Sequence, residues 1–390
     1  MSSFRIINAR AVLPDRVIGP TEIAVRDGVI AASDTADGDS IDAAGGYVFP
    51  GFIDVHVHGG GGADFMDGTA EAFETVVKAH LHHGTTTLLP TSMSAAKEEL
   101  IGFIKAYRSF ERDSVYADCA AGIHMEGPYL SGADGKSRGA QRGDFLRPID
   151  MAEVEELLEL GGGRIRRWDA APELAGSEQF AHAMRERGIR CAVAHTDATA
   201  DEAQRGFAAG FSHVTHFYNA VTMYRKRGQL VTAGVVEAAY LDENVTVELI
   251  CDGRHVPKQC LQLALAIKGA DGVLGITDAM RLAGTDLKSG KLGSLRSGTE
   301  VIADGGVAKL RDLSSFAGSV CTMDRALSVL CTEYEISPVT AAKMLASAPA
   351  RFLGIERRTG SIREGLAADL VVTDDAFRLT HVIKSGRLVI

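Results

Sequence analysis

The chain has no C-x-x-C pair, no excess of basic charge and no apolar run near membrane-spanning length, and each absence removes a class of function. The six cysteines (Cys119, Cys191, Cys251, Cys260, Cys321 and Cys331) are scattered along 390 residues. That pattern fits buried thiols in a reducing cytoplasm better than a disulfide framework. A formal net charge of -10 argues against nucleic acid or an anionic membrane as the main partner, because binding a polyanion needs a basic surface. No stretch approaches the ~18 apolar residues of a spanning helix. The opening Met1-Ser2-Ser3-Phe4-Arg5-Ile6-Ile7 lacks the apolar segment of a secretory signal. A cytoplasmic location is therefore expected, and Asn244-Val245-Thr246 is a chance match to the glycosylation sequon. Neither an internal repeat nor a low-complexity tract is found.

What remains is an ordinary globular balance, 46% hydrophobic and 24% charged, in a chain longer than the ~250 to 300 residues at which one core stops growing. Two units are expected. Residues 1–49 alternate apolar and polar in short runs such as Glu22-Ile23-Ala24-Val25, broken at Asp27-Gly28 and Gly45-Gly46, which reads as a small antiparallel sheet. Residues 351–390 repeat the style at Ala368-Asp369-Leu370-Val371-Val372 and from Val382 to Val389. Because short strands at one end cannot bury a face alone, the two ends are expected to pair into one discontinuous β-sandwich domain. Between them, over residues 50–350, apolar strands alternate with helical segments, with strands expected at 51–58, 85–90, 122–126, 165–172, 190–195, 212–216, 245–252 and 272–278. The fold class is α/β, a (β/α)8 TIM-like barrel with a small β-sandwich formed from both chain ends. Residues 282–316 are rich in glycine and turns, with a hairpin around Val301 to Lys309, and helices follow from about Met323 to Ser347.

In such barrels chemistry sits at the C-terminal ends of the strands. The first strand ends in His56 and His58, which share a face about 7 Å apart along the chain, close enough to bind one metal ion. Asp54 shares that face, and Gly59 to Gly62 let the backbone turn beside it. Later strand ends carry Glu126, His195, His216 and Asp278. Ligand-type or acid-base residues ending five separate strands are hard to explain as core packing, and they point to a metal-dependent hydrolytic site. A bound metal acidifies water and polarises an amide carbonyl. Asp278 can take the water's proton and pass it to the departing amine, unless it serves only as a helix cap or ligand. The remaining histidines read more plainly. His80, His82 and His83 end the first barrel helix, where positive charge complements the helix dipole. His124, on the face of Glu126, reads as a support for ligands rather than a ligand. His182 and His381 read as surface residues, and His213 stays open.

Several stretches occur together in order: Pro50-Gly-Phe-Ile-Asp-Val-His-Val-His58-Gly, Gly84-Thr-Thr-Thr-Leu-Leu-Pro-Thr91, His124-Met-Glu-Gly-Pro-Tyr129, Thr215-His-Phe-Tyr-Asn-Ala220, Asp252-Gly-Arg-His255, Ile276-Thr-Asp278 and Ala317-Gly-Ser319. With them the chain resembles the amidohydrolase superfamily, and within it the N-acetylglucosamine-6-phosphate deacetylase family, over nearly its whole length. By that resemblance Glu126, His195 and His216 hold one divalent ion, with Glu126 standing where other superfamily members have a carboxylated lysine. His56 and His58 add a second site, giving one or two ions per subunit, with zinc and iron both suited to the donors. The resemblance also implies that His255 contacts the sugar, that Asn219 and the Ala220 amide contact the phosphate, and that the enzyme is a homodimer. Its substrate would be a small amino-sugar phosphate, N-acetylglucosamine 6-phosphate, split to glucosamine 6-phosphate and acetate in amino-sugar catabolism.

Two departures from the family pattern bear on specificity. Where many members carry R-E-P-G, this chain reads Arg225-Lys-Arg-Gly-Gln-Leu230, so Arg225 and Arg227 either hold the sugar phosphate or lie in a solvated loop. Where many carry K-G-A-H, it reads Ser137-Arg-Gly-Ala-Gln141; Gln141 can donate a hydrogen bond to the carbonyl oxygen but carries no charge. The alternatives are N-acetylgalactosamine 6-phosphate or another N-acyl compound as substrate, and, from a different class, a non-catalytic barrel used as a scaffold. A scaffold would show eroded ligands, and none is eroded here.

Overall fold

Eight short runs, nearly all buried, form the parallel strands of a barrel: Phe52–Val57, Thr85–Pro90, Ile123–Glu126, Ile165–Ala170, Arg190–Val193, Phe211–Val214, Thr246–Ile250 and Val273–Ile276. They are hereafter the first to eighth barrel strands. The computed structural model that gives this architecture describes residues 3–32, 39–132 and 137–390. Because helices cover one face and side chains fill the other, these strands are buried along nearly their whole length rather than at alternate residues. The third to eighth form one parallel sheet, and the first pairs in parallel with the second. Bridges from Leu88 to Ala120 and from Thr91 to His124 join the second strand to the third, and one from Val57 to Ala279 joins the eighth to the first. The barrel is thereby closed.

The helices follow from capping and spacing. In Ala70–His82, Thr69 accepts a hydrogen bond from Ala72 N at the start, and Phe73, Val76, Val77, His80 and Leu81 face inward, the spacing of a single apolar stripe. The expected hairpin around Val301 to Lys309 is the centre of a four-stranded antiparallel sheet made by Ser289–Leu292, Thr299–Asp304, Val307–Leu310 and Phe316–Ser319. Helical structure begins at Met323 as expected, widens to π turns at Val329–Glu333, breaks at residues 334–337 and resumes from Pro338 to Leu353 with a second π stretch at Lys343–Ser347.

Strands from both chain ends share one eight-stranded sheet, with Leu370–Thr373 paired to Tyr47–Pro50. Not all of it is antiparallel as expected, since Phe4–Val12 pairs in parallel with Asp39–Asp42 and with Tyr47–Pro50. The sheet curls back on itself, because Ile30 N donates to Leu366 O and Ala368 N to Gly28 O, both near 2.8 to 2.9 Å. Phe4, Ile6, Ile23, Val25, Val48, Leu370, Val372 and Ile383 fill its own small core.

Candidate metal centre and active-site cleft

Three barrel strands end by the same device. The fifth, sixth and eighth stop at Val193, Val214 and Ile276, and two residues later His195, His216 and Asp278 take positive φ values of 41°, 27° and 48°. Positive φ at a non-glycine residue costs of order 1 to 3 kcal/mol and persists only where neighbours enforce it. Here Asp278 N donates to His56 O at 3.0 Å, Ser319 N donates to Asp278 O at 2.7 Å, and His216 N donates to Glu248 Oε1 at 3.0 Å. The strands are shorter than their sequence pattern suggests because the backbone turns at these positions to aim the side chains at the barrel axis.

Two ligand groups meet there. Glu126 Oε1 lies 3.2 Å from both His195 Nε2 and His216 Nε2, and those two nitrogens are 3.1 Å apart. His56 Nε2 is 3.1 Å from His58 Nε2, and His58 Nε2 is 3.5 Å from Glu126 Oε2. Glu126 is common to both groups, and within each group the candidate ligand atoms lie within 4.8 Å of one another. The far nitrogens of three imidazoles are engaged: His195 Nδ1 with Ser137 O at 3.0 Å, His216 Nδ1 with Asn219 O at 3.0 Å, and His56 Nδ1 with Glu248 Oε1 at 2.7 Å. Carbonyl and carboxylate oxygens only accept, so each Nδ1 carries the proton and each Nε2 turns a lone pair inward.

Facing lone pairs at 3.1 Å repel, and a divalent cation between them removes the conflict. With protons as the only countercharge, burial works against charge on His58 and His216, yet hydrogen bonds to Asp278 and Glu126 and nearby carboxylate charge hold both near 9. Burial is likewise overcome at Glu126, where His195 and His216 keep the carboxyl well below its usual range. A donor set of imidazole and carboxylate that attracts positive charge this strongly fits a divalent ion.

Asp278 Oδ1 lies 3.3 Å from His58 Nε2 and 3.5 Å from His56 Nε2. Burial favours its neutral form, but the charges of His56 and His58 and a hydrogen bond to His58 lower its pKa below the ordinary carboxyl value, leaving it ionised and able to accept a proton. His58, Glu126, His195, His216 and Asp278 line a cleft of about 180 Å³. Asn219, Ala220, His255 and Gln141 all line it, with Phe316 forming part of an apolar wall. His255 Nδ1 is held by Asp252 Oδ2 at 2.7 Å, and its ring meets Phe316 edge-on at 4.9 Å. Gln141 is more committed than the sequence suggests: its Nε2 donates to Glu126 Oε2 at 2.6 Å and its Oε1 accepts from Ser94 N at 3.0 Å. Arg225 is not among the lining residues; it donates to Asp197 O at 3.2 Å. Arg227 belongs to the same short strand, Arg225–Arg227, and its side chain lies outside the described part of the chain.

The family model for the amidohydrolase family matches residues 47–389. The chain belongs to that family. This amidohydrolase is 32% identical to an N-acetylglucosamine-6-phosphate deacetylase of Lysinibacillus sphaericus over 360 residues, 90% of this chain and 87% of the relative. It is equally identical, 32% over 380 residues, to an N-acetylgalactosamine-6-phosphate deacetylase of Shewanella sp. (strain ANA-3), covering 94% of this chain and 91% of that one. Among solved structures, a mutant N-acetyl-D-glucosamine-6-phosphate deacetylase from Mycobacterium smegmatis in complex with N-acetyl-D-glucosamine-6-phosphate superposes with a TM-score of 0.90 at 27% identity, over 100% of both chains.

Behind the imidazoles this amidohydrolase has a buried charge network that sequence reasoning missed. Arg167 donates to Asp169 Oδ1 at 2.8 Å, to Glu248 Oε2 at 2.6 Å and to Thr215 Oγ1 at 2.6 Å. His213, left open by the sequence, joins it with Nε2 3.2 Å from Glu248 Oε2. His124 lies beside the candidate ligands and belongs to neither group: its Nε2 is 2.9 Å from Asp169 Oδ2, and its ring abuts that of His56 edge-on at 4.8 Å. The available signal was a charged residue in the middle of an apolar strand, Arg167 and Asp169 in the fourth and Glu248 in the seventh. One expectation is corrected. His80 is not a positive charge at a helix end, because it is buried with Nε2 donating to Gly59 O at 2.9 Å, and burial pushes its pKa down to about 4. Burial also lowers His82, whereas a hydrogen bond to Asp324 raises His83.

Proposed function

We propose that this amidohydrolase removes the N-acetyl group of N-acetylglucosamine 6-phosphate, giving glucosamine 6-phosphate and acetate, as a cytoplasmic homodimer. The observation that carries this reading is the meeting of an ionised Asp278 with two imidazole-carboxylate groups on the floor of a cleft walled by His255, Asn219 and Ala220. Relatives and structural neighbours named as deacetylases of this substrate support it. Among the described residues no helix is long and apolar enough to cross a membrane.

Glu126, His195 and His216 would hold one divalent ion, zinc or iron, and His56 and His58 with Glu126 a second. An ion so held supplies Lewis acidity, which brings the pKa of water from about 15.7 towards 7 and polarises the amide carbonyl. Asp278 takes the proton from the attacking water and returns it to the amine nitrogen, without which the amine is a poor leaving group. His255, fixed by Asp252, presents its other nitrogen to a sugar hydroxyl. Asn219 and the Ala220 amide, with Arg225 or Arg227, bind the phosphate. Gln141 steadies Glu126 and keeps a second N–H for the acyl oxygen.

The test is acetate release by metal-loaded protein from N-acetylglucosamine 6-phosphate, its galactosamine epimer and unphosphorylated N-acetylglucosamine, with a chelated control. Preference for the phosphorylated glucosamine compound, abolished by chelation and restored by the ion, is expected. The equal identity to an N-acetylgalactosamine-6-phosphate deacetylase favours a second reading, which faster turnover of the galactosamine epimer would establish. Indifference to the phosphate would overturn both.

A further inference from the structure

Glu248 is fully buried in the middle of the seventh barrel strand. Its Oε1 accepts hydrogen bonds from His56 Nδ1 at 2.7 Å, from the main-chain N of His216 at 3.0 Å and from Arg167 Nη2 at 3.1 Å. The two histidines belong one to each ligand group. The other oxygen is held by Arg167 Nη1 at 2.6 Å, and Phe217 N donates to the main-chain O of Glu248 at 2.7 Å. Turning this carboxylate away from either histidine would strip a buried guanidinium of a partner, a costly change in a low-dielectric interior.

The consequence falls on His56. A neutral imidazole has one ring proton, and the acceptor that takes it from Nδ1 leaves the Nε2 lone pair for the site. His58, the other member of that pair, has no hydrogen-bond partner for Nδ1 among the described residues. The outer anchoring of the pair therefore rests on Glu248. We propose that Glu248, held by Arg167, is the positioning residue that orients His56 and thereby sets the affinity of the second divalent ion. Outer hydrogen bonds of this kind are worth roughly 10- to 100-fold in metal affinity. The inference rests on the two-ion reading given above.

The test is zinc stoichiometry and affinity of the reconstituted full chain by competition titration and elemental analysis, with the fold of the metal-free protein checked by circular dichroism. Glu248→Asp keeps negative charge for Arg167 but withdraws the acceptor from His56 by one methylene. It is expected to retain one ion at near wild-type affinity and to weaken the other by roughly 10- to 100-fold, matching the single ion left by His56→Asn. Glu248→Gln offers His56 one acceptor oxygen but turns its amide N–H towards Arg167, so it should weaken the second ion measurably, though less than Glu248→Asp does; if one variant fails to fold, the other carries the comparison with wild type. Two ions bound as in wild type, or both weakened alike, would overturn the positioning role and leave the two-ion reading standing. A wild-type stoichiometry of one would overturn both.

Discussion

Asp278 can be tested with little structural disturbance because of its backbone. At φ 48° the residue sits in the left-handed region that asparagine tolerates better than most side chains, so Asp278→Asn keeps the turn and the shape while removing the proton acceptor. Metal content and substrate binding should be kept, and kcat should fall by roughly 10²- to 10⁴-fold; turnover near wild type would take Asp278 out of proton transfer. His80 makes a different prediction, in stability. An unfolded histidine titrates near 6.5, whereas the folded His80 holds off protonation until about pH 4. Above 6.5 both states are neutral and pH has no leverage. As pH falls from 6.5 towards 4 the unfolded chain takes the proton first, so stability is lost, by about 2 kcal/mol between pH 7 and pH 5 from this residue. His80→Gln should flatten that part of the pH dependence in denaturant unfolding, and an equally steep dependence would mean that His80 is not held neutral.

The existence of each barrel strand was legible because short β-prone runs recur between longer helical segments over residues 50–350. Strand ends were not, since Ala194, Thr215 and Thr277 carry each buried run on to His195, His216 and Asp278 while the backbone has already turned. The candidate site residues could still be named from residue type and position, because His56, His58, Glu126, His195, His216 and Asp278 each fall at or just beyond a strand end. Glu248 and Arg167 stayed hidden for the opposite reason: they lie within strands rather than at their ends, and the pairing of Arg167 with Glu248 spans the fourth and seventh strands, which spacing along the chain does not show. The basic hairpin is the element least settled by its sequence. Its first strand, Arg225–Arg227, pairs with Leu230–Thr232, and Leu230 is 72% exposed at the turn. If this element binds phosphate, replacing Arg225 and Arg227 together by Gln removes charge-assisted hydrogen bonds worth about 1.5 to 3 kcal/mol each. KM for the phosphorylated sugar should then rise at least tenfold with little change for the unphosphorylated one; an equal effect on both would place the hairpin outside phosphate recognition.

At the scale of the whole molecule, the sheet made from both chain ends meets the barrel at the strand that carries His56 and His58. Tyr47–Pro50 pairs with Leu370–Thr373, and after one intervening residue, Gly51, the chain becomes the first barrel strand; Gly51 N donates to Asp369 O at 2.8 Å. Asp369 is therefore a junction residue. Its carboxylate also accepts from Thr359 Oγ1 at 2.9 Å and Ser385 N at 2.8 Å and lies 3.3 Å from Lys384 Nζ, with side-chain exposures of 1% and 5%. Removing one partner of a buried pair strands the other, which costs about 3 to 5 kcal/mol, whereas the main-chain bond from Gly51 survives the substitution. Asp369→Asn should thus lower the denaturant midpoint by a corresponding amount while zinc stoichiometry and kcat of the folded protein stay unchanged. A loss of metal at full folding would instead mean that the terminal sheet tunes the site through Gly51, rather than only fastening the barrel to its own ends.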